Sequence, residues 1–194
     1  IQDNDDDNNK DLPLIEKYRP QTLSELKSDK EDILREFIKN KTLPNLLFYG
    51  PPGTGKTSTI SACAKDIYGK AYNYMILEFN ASDERGVDVV RDKIKTFVNT
   101  KTFFNDGIKL VILDEIDSMT YDAQRILRQV IEKYSSNARF CLICNYILKI
   151  IDPLKSICIK FRFNPLKDSY IYDNILEITK KEKIKSSVKG RNEI

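Results

Sequence analysis

The chain has 194 residues, 41% of them hydrophobic and 31% charged, with a formal charge of +3: enough apolar content for a substantial core, and no large excess of one sign. Residues 1–11 hold five Asp and one Lys, which leaves 31 basic against 24 acidic residues in the remainder, a mildly basic body that permits nucleic-acid contact without establishing it. Four Cys and no His exclude the usual metal and disulfide frameworks; Cys141 and Cys144 have C-x-x-C spacing, but residues three apart on a strand point to opposite faces, so both read as buried small apolar side chains.

Residues 1–13 read as a disordered acidic tail. Apolar positions at Ile33, Leu34, Phe37 and Ile38 predict a short amphipathic helix over 31–38. Residues 45–49 read as a buried strand that runs into Gly50-Pro-Pro-Gly-Thr-Gly-Lys-Thr57, a full match to G-x-x-x-x-G-K-[ST]. In such a loop Gly50 and Gly55 leave the backbone free to wrap a phosphate, Lys56 reaches the outer phosphates, and the Thr57 hydroxyl can hold magnesium. Pro51, Pro52, Gly53, Thr54, Gly55, Lys56, Thr57 and Ser58 make up the candidate nucleotide-binding set. A helix over 57–68 would turn its amino end toward the anion.

Residues 74–79 read as a second strand. A helix over 86–98 points Val87, Val90, Ile94 and Phe97 inward and leaves Arg91 and Lys95, one turn apart, on the opposite side. Residues 109–113 make a central strand, and Asp114 and Glu115 emerge at its carboxyl end, where ligands of open α/β sheets sit. There Asp114 can position magnesium and Glu115 can polarise a water for attack on the γ-phosphate. The two motifs together indicate ATP binding and hydrolysis. The segment 121–134 places Ala123, Ile126, Leu127, Val130, Ile131 and Tyr134 on one helical face, residues 139–144 and 157–163 read as the fourth and fifth strands, and a very polar helical pattern follows Pro165. Strands alternating with helices predict a parallel α/β sheet. No amino-terminal stretch resembles an export signal and the longest apolar runs are strand-length, so a soluble intracellular protein with no membrane partner is expected.

With both ATP motifs placed, four further stretches carry a resemblance: Glu16-Lys-Tyr-Arg-Pro20, Asn80-Ala-Ser-Asp-Glu-Arg-Gly86, Leu142-Ile-Cys-Asn145 and Phe161-Arg-Phe163. From about residue 14 to about residue 180 the chain resembles the small subunits of replication factor C, the AAA+ ATPases that open a sliding clamp with ATP and place it on primer-template DNA. The resemblance implies a P-loop NTPase fold with strand order 5-1-4-3-2, an ATPase domain over 14–165, the start of a helical lid over 166–194, and a nuclear protein. Its implied partners are the other subunits of a heteropentamer, the sliding clamp and DNA, with ATP and Mg2+ as ligands. It also implies that Asn145 is a sensor bonded to the attacking water or γ-phosphate, with an Asn that merely ends a strand at a turn as the lesser alternative. Tyr18 and Arg19 would lie nearest the adenine and ribose. Arg85, Arg91 and Lys95 would meet DNA phosphates; from periodicity alone Arg91 and Lys95 are also a plain solvated face.

The chain departs from the family pattern where small subunits show Ser-Arg-Cys, the Arg entering a neighbour's ATP site: here it reads Ser156-Ile-Cys158. Isoleucine cannot stabilise phosphoryl charge, which implies a weakened neighbouring site. Gln129 likewise stands where the family often has a second arginine after Arg128. The lid's second sensor and the helical collar are not found, so an isolated ATPase domain or a shortened product is expected. Two other readings remain: a subunit that binds ATP structurally and hydrolyses little, and another AAA+ DNA-processing ATPase.

Overall fold

The computed structural model describes Tyr18 and residues 31–39, 42–82, 87–100, 108–166 and 168–182. These residues fall into two compact units, one within 20–164 and one that holds Tyr18 and the described residues from 165 onward.

In the larger unit, α1 (Glu31–Lys39) precedes β1 (Leu46–Tyr49), and α2 (Lys56–Tyr68) follows the glycine-rich loop. Next come a 3-10 turn (Gly69–Ala71), a single helical turn α3 (Tyr72–Met75), β2 (Ile76–Asn80), α4 (Val87–Asn99) and β3 (Lys109–Asp114). A second 3-10 turn (Ile116–Ser118), α5 (Tyr121–Tyr134), β4 (Ala138–Cys144), a third 3-10 turn (Ile147–Lys149), α6 (Asp152–Ser156) and β5 (Ile159–Arg162) complete it. The sheet order is β2-β3-β4-β1-β5, and all four strand pairs are parallel. This is the 5-1-4-3-2 order expected from the resemblance.

Helices cover both faces, so the strands need no polar side. One layer joins Leu47, Val111, Leu113, Phe140 and Leu142 to Val90 and Ile94 of α4 and to Leu127 and Ile131 of α5. The other joins Leu46, Phe48, Leu110, Ile112 and Ile143 to Leu34 of α1 and Ile60 of α2. Each such Leu, Ile or Phe contributes about 1.5–3 kcal/mol by leaving water. Cys141 sits in the second layer and Cys144 in the first, as alternation along a strand requires. All four cysteines are buried free thiols, and burial raises Cys141 well above its usual range and pushes Cys144 and Cys158 up to about 12. Lys109 is buried at the amino end of β3, where its ammonium donates to the carbonyls of Phe97 and Thr100 and caps the carboxyl end of α4.

Two strand expectations need correction. Tyr74 and Met75 belong to α3, and the second strand begins at Ile76. Ile157 ends α6 rather than starting β5: it takes φ −91° and ψ 4° as the helix cap, and pairing begins at Ile159.

In the smaller unit, α7 (Asp168–Lys181) carries the polar helical pattern seen after Pro165. Tyr18 donates its hydroxyl to Glu182 Oε1 at 2.7 Å and lies 5.9 Å beneath the Lys181 ammonium. No described helix is long and apolar enough to cross a membrane.

Candidate nucleotide site

Parallel registers align the carboxyl ends of the strands: Tyr49 lies opposite Cys144, and Leu113 opposite Leu142. The glycine-rich loop after β1, the acids at the end of β3 and Asn145 after β4 therefore meet on one rim of the sheet. From β1 the chain leaves for distant β2 and returns through β3 and β4, so this rim is also the topological switch point.

The loop is shaped by its own bonds. Thr54 is buried and donates its hydroxyl to Pro51 O at 2.8 Å. Gly55 caps α2 with φ 83° and ψ 14°, and Thr59 N returns to Gly55 O at 2.8 Å to open the helix. The first-turn amides of α2 are left for an acceptor outside the helix. Pro51, Pro52 and Gly53 form an exposed crest, while Thr57 and Ser58 are half-buried on the first turn. Gly50 has a different reason to be glycine. Its φ is 146°, and a Cβ there would lie 2.1 Å from Phe163 O, the backbone that continues β5. Lack of room beside Phe163, as well as freedom to wrap phosphate, forbids a side chain at Gly50.

Lys56 is 7% exposed and uses all three of its N–H donors: to Gly50 O at 2.8 Å, to Pro51 O at 2.8 Å, and to Asn145 Oδ1 at 2.9 Å. Burial lowers its pKa, and the nearby Asp114 charge works in the opposite direction. One turn of chemistry away, Thr57 Oγ1 donates to Asp114 Oδ2 at 2.6 Å. This hydroxyl and carboxylate are hard oxygen donors of the kind magnesium takes, together with phosphate and water oxygens. The donor set fits that ion, with Thr57 and Asp114 as its protein residues. Among the described residues no three His, Cys, Asp or Glu side chains gather into a metal cage.

Glu115 stands in the left-handed region, φ 55° and ψ 36°, the one non-glycine with positive φ among the described residues. Such a conformation costs about 1–2 kcal/mol. It is held from both sides: Asp114 Oδ1 accepts the Glu115 N–H at 2.8 Å, and Ser118 donates its N–H and its hydroxyl to Glu115 O at 2.9 and 2.7 Å.

The remaining sequence-predicted residues fall on α4, at the end of α6, in the smaller unit or outside the described residues. Arg19 and Arg85 lie outside the described residues. Tyr18 belongs to the smaller unit, with Glu182 as its hydroxyl's acceptor. Arg91 and Lys95 are exposed on α4 while Val90, Ile94 and Val98 point inward. Arg91 is already paired, with Asp88 at 3.0 Å and Asp92 at 3.5 Å. Ile157 is half-buried against the core layer that contains Leu154 and Cys158.

Sequence reading missed Gln124. It is fully buried on α5, donating Nε2 to Met119 O at 3.2 Å and Lys149 O at 2.9 Å and accepting Ile151 N–H at Oε1 at 2.9 Å. Its signal was a polar residue on the apolar stripe of Leu127, Ile131 and Tyr134. The carboxamide ties the start of α5 to the segment that follows Asn145.

The profile of the ATPase family associated with various cellular activities (AAA) matches residues 46–166. The chain is 54% identical over 185 residues to replication factor C subunit 5 of Homo sapiens, covering 93% of this chain and 54% of that protein. It is 53% identical over 178 residues to replication factor C subunit 3 of Saccharomyces cerevisiae, covering 91% and 52%. A putative replication factor C small subunit of Acanthamoeba polyphaga mimivirus is 52% identical over 193 residues, covering 95% and 56%. The chain thus spans about half the length of these curated relatives. Pro44-Asn-Leu-Leu47 and Arg139-Phe-Cys-Leu-Ile-Cys-Asn-Tyr146 resemble this same subunit type, called 5 in humans and 3 in budding yeast. Among solved structures, the Aeropyrum pernix ORC1 protein in complex with DNA superposes with a TM-score of 0.64 at 18% identity, over 84% of this chain and 51% of that one, a likeness of fold alone. The chain therefore belongs to the AAA family of ATPases, and within that family its sequence falls with the replication factor C small subunits.

Proposed function

We propose that this chain binds ATP with magnesium and hydrolyses it as part of a replication factor C clamp loader. In that reading it works beside the other subunits of a heteropentamer to open a sliding clamp and place it on primer-template DNA in the nucleus. Residues 14–165 are its ATPase domain, and α7 begins a lid. The observation that carries the reading is the convergence of Lys56, Thr57, Asp114 and Asn145 through direct bonds of 2.6 to 2.9 Å at one sheet rim.

Each residue has work suited to its chemistry. Lys56 exchanges a loop carbonyl for a phosphate oxygen and brings positive charge to the leaving and transferred groups. Magnesium held by Thr57 and Asp114 neutralises phosphate charge when bound. Glu115 polarises the attacking water, and the Asn145 amide, released from Lys56, offers donor and acceptor to orient it. Arg85, Arg91 and Lys95 contribute phosphate contacts to DNA, without reading bases.

Lys56→Ala should abolish ATP binding in a titration, and Glu115→Gln should leave binding intact while single-turnover hydrolysis falls by about 10²-fold or more. Equal loss of binding and turnover in Glu115→Gln refutes its assignment. A subunit that holds ATP but hydrolyses little is the second reading, and Ile157 favours a ring of reduced cooperation: a half-buried apolar side chain stands where the family offers an arginine to the neighbour.

A further inference from the structure

Asp117 takes no part in the chemistry above, yet its carboxylate reaches back to the sheet rim. Its Oδ2 accepts the N–H of Asn145 at 3.2 Å and of Tyr146 at 3.0 Å. Two successive amides at the end of β4 thus converge on one carboxylate oxygen, 28 and 29 residues away in sequence. Bonds from backbone N–H to an ionised acceptor are roughly twice as strong as neutral ones. Asp117 reaches this place because the left-handed turn at Glu115 feeds directly into the 3-10 turn Ile116–Ser118, whose Ile116 is fully buried and fixes it.

The same Asn145 gives its side-chain oxygen to Lys56. Asn145 is therefore held at two points, its amide nitrogen by Asp117 and its carboxamide by the loop lysine. We propose that Asp117 is the positioning residue for Asn145: by fixing two backbone N–H groups it sets where the Asn145 carboxamide stands relative to Lys56 and to the γ-phosphate of ATP. This rests on the ATP-hydrolysing reading of the site. Asp117 touches neither substrate nor the reacting water and acts through Asn145. Its charge also reaches Lys56, where it supports the protonated form against burial, after Asp114 and Cys144. A plain role in holding the chain turn after β4 is the rival account, and it predicts a different pattern.

The test is a double-mutant cycle of Asp117→Ala and Asn145→Ala, read by single-turnover hydrolysis with protein in excess over ATP and by titration with a fluorescent ATP analogue. Asp117→Ala should slow hydrolysis by about 10- to 100-fold, the range a misplaced group produces, with analogue affinity changed by less than about threefold. In the Asn145→Ala background the same change should slow hydrolysis by less than about twofold. Equal factors in both backgrounds overturn the proposal. If Asp117→Ala does not fold, Asp117→Asn enters the cycle instead; it keeps an acceptor oxygen, and its smaller loss should likewise vanish without the Asn145 side chain. Hydrogen exchange gives a readout free of ATP: the amides of Asn145 and Tyr146 should exchange roughly tenfold faster in either Asp117 variant, and unchanged exchange also overturns the proposal. Glu115→Gln tests the hydrolysis reading separately. If it turns over as fast as the parent, that reading fails, whereas equal factors in the cycle reject only the role of Asp117.

Discussion

Gly50→Ala should destabilise the protein far more than Gly53→Ala, although both glycines lie in the same loop and both have positive φ. At Gly53, φ is 73° and a Cβ would meet nothing within 4 Å, so alanine there costs only the left-handed backbone, about 1–2 kcal/mol. At Gly50, φ is 146°, an angle that residues with a side chain rarely adopt and that costs about 1–3 kcal/mol. The added Cβ would also stand 2.1 Å from Phe163 O, 3.0 Å from Phe163 C and 3.2 Å from Phe163 Cβ. Relieving that overlap moves backbone and costs about 1–3 kcal/mol more. Because Phe163 N donates to Tyr49 O at 2.7 Å, the shift also strains a bond worth about 1 kcal/mol. The sum for Gly50→Ala is about 3–7 kcal/mol. At about 2–4 °C per kcal/mol, the thermal midpoint should fall by roughly 6–28 °C, against roughly 2–8 °C for Gly53→Ala. Thermal unfolding without nucleotide, followed by circular dichroism, measures both. Midpoints within about 2 °C of each other would refute the claim that Phe163 excludes a side chain at Gly50.

Gln124→Leu should keep shape but leave two part-buried carbonyls and one N–H without their partner, costing about 2–4 kcal/mol in urea unfolding; a loss under about 1 kcal/mol would mean the segment after Asn145 re-pairs without it. Lys56 has a pKa lowered by burial, and a phosphate partner favours its charged form. ATP affinity should therefore stay level through neutral pH and fall with rising pH once Lys56 begins to lose its proton, starting below the ordinary lysine value of 10.5; affinity that holds level past that value contradicts a charged Lys56 contact. Replacing Arg91 and Lys95 with Gln should weaken binding of DNA by the assembled loader equally across sequences and flatten the salt dependence by about two counterions, about one per basic side chain. An unchanged slope returns both to a solvated face.

The strands that are flanked by helices on both faces were the readable ones. Leu46-Leu-Phe48, Leu110-Val-Ile-Leu113 and Cys141-Leu-Ile-Cys144 are buried throughout, and such unbroken apolar runs are what a covered parallel sheet demands. The misread boundaries have local causes. Tyr74 and Met75 extend an apolar run into β2, but they lie in a helical turn that buries Met75 completely and leaves Tyr74 70% exposed. Ile157 continues the alternation of Ile159, Phe161 and Phe163 in the wrong direction, because β5 has only the four residues of β1 to pair with. Partner length sets that limit, and no feature of the segment itself reports it.

At the site, the sequence supplied the members and left out the pairing. Lys56 meets Asn145 across 89 positions and Thr57 meets Asp114 across 57, contacts that depend on the register of β1, β3 and β4. The same motif offers three carboxylates within four positions, Asp114, Glu115 and Asp117, and spacing alone cannot divide tasks among them. Backbone handedness does. With Glu115 in the left-handed region, Asp114 keeps its strand direction toward Thr57, Asp117 swings back to the amides of Asn145 and Tyr146, and the Glu115 carboxylate stays outside both pairs. A right-handed residue at 115 would carry the chain elsewhere and separate Asp117 from Asn145. One strained residue thus sends Asp114 to Thr57 and Asp117 to the amides of Asn145 and Tyr146, and its cost of about 1–2 kcal/mol is carried by the Asp114 and Ser118 bonds that hold the turn.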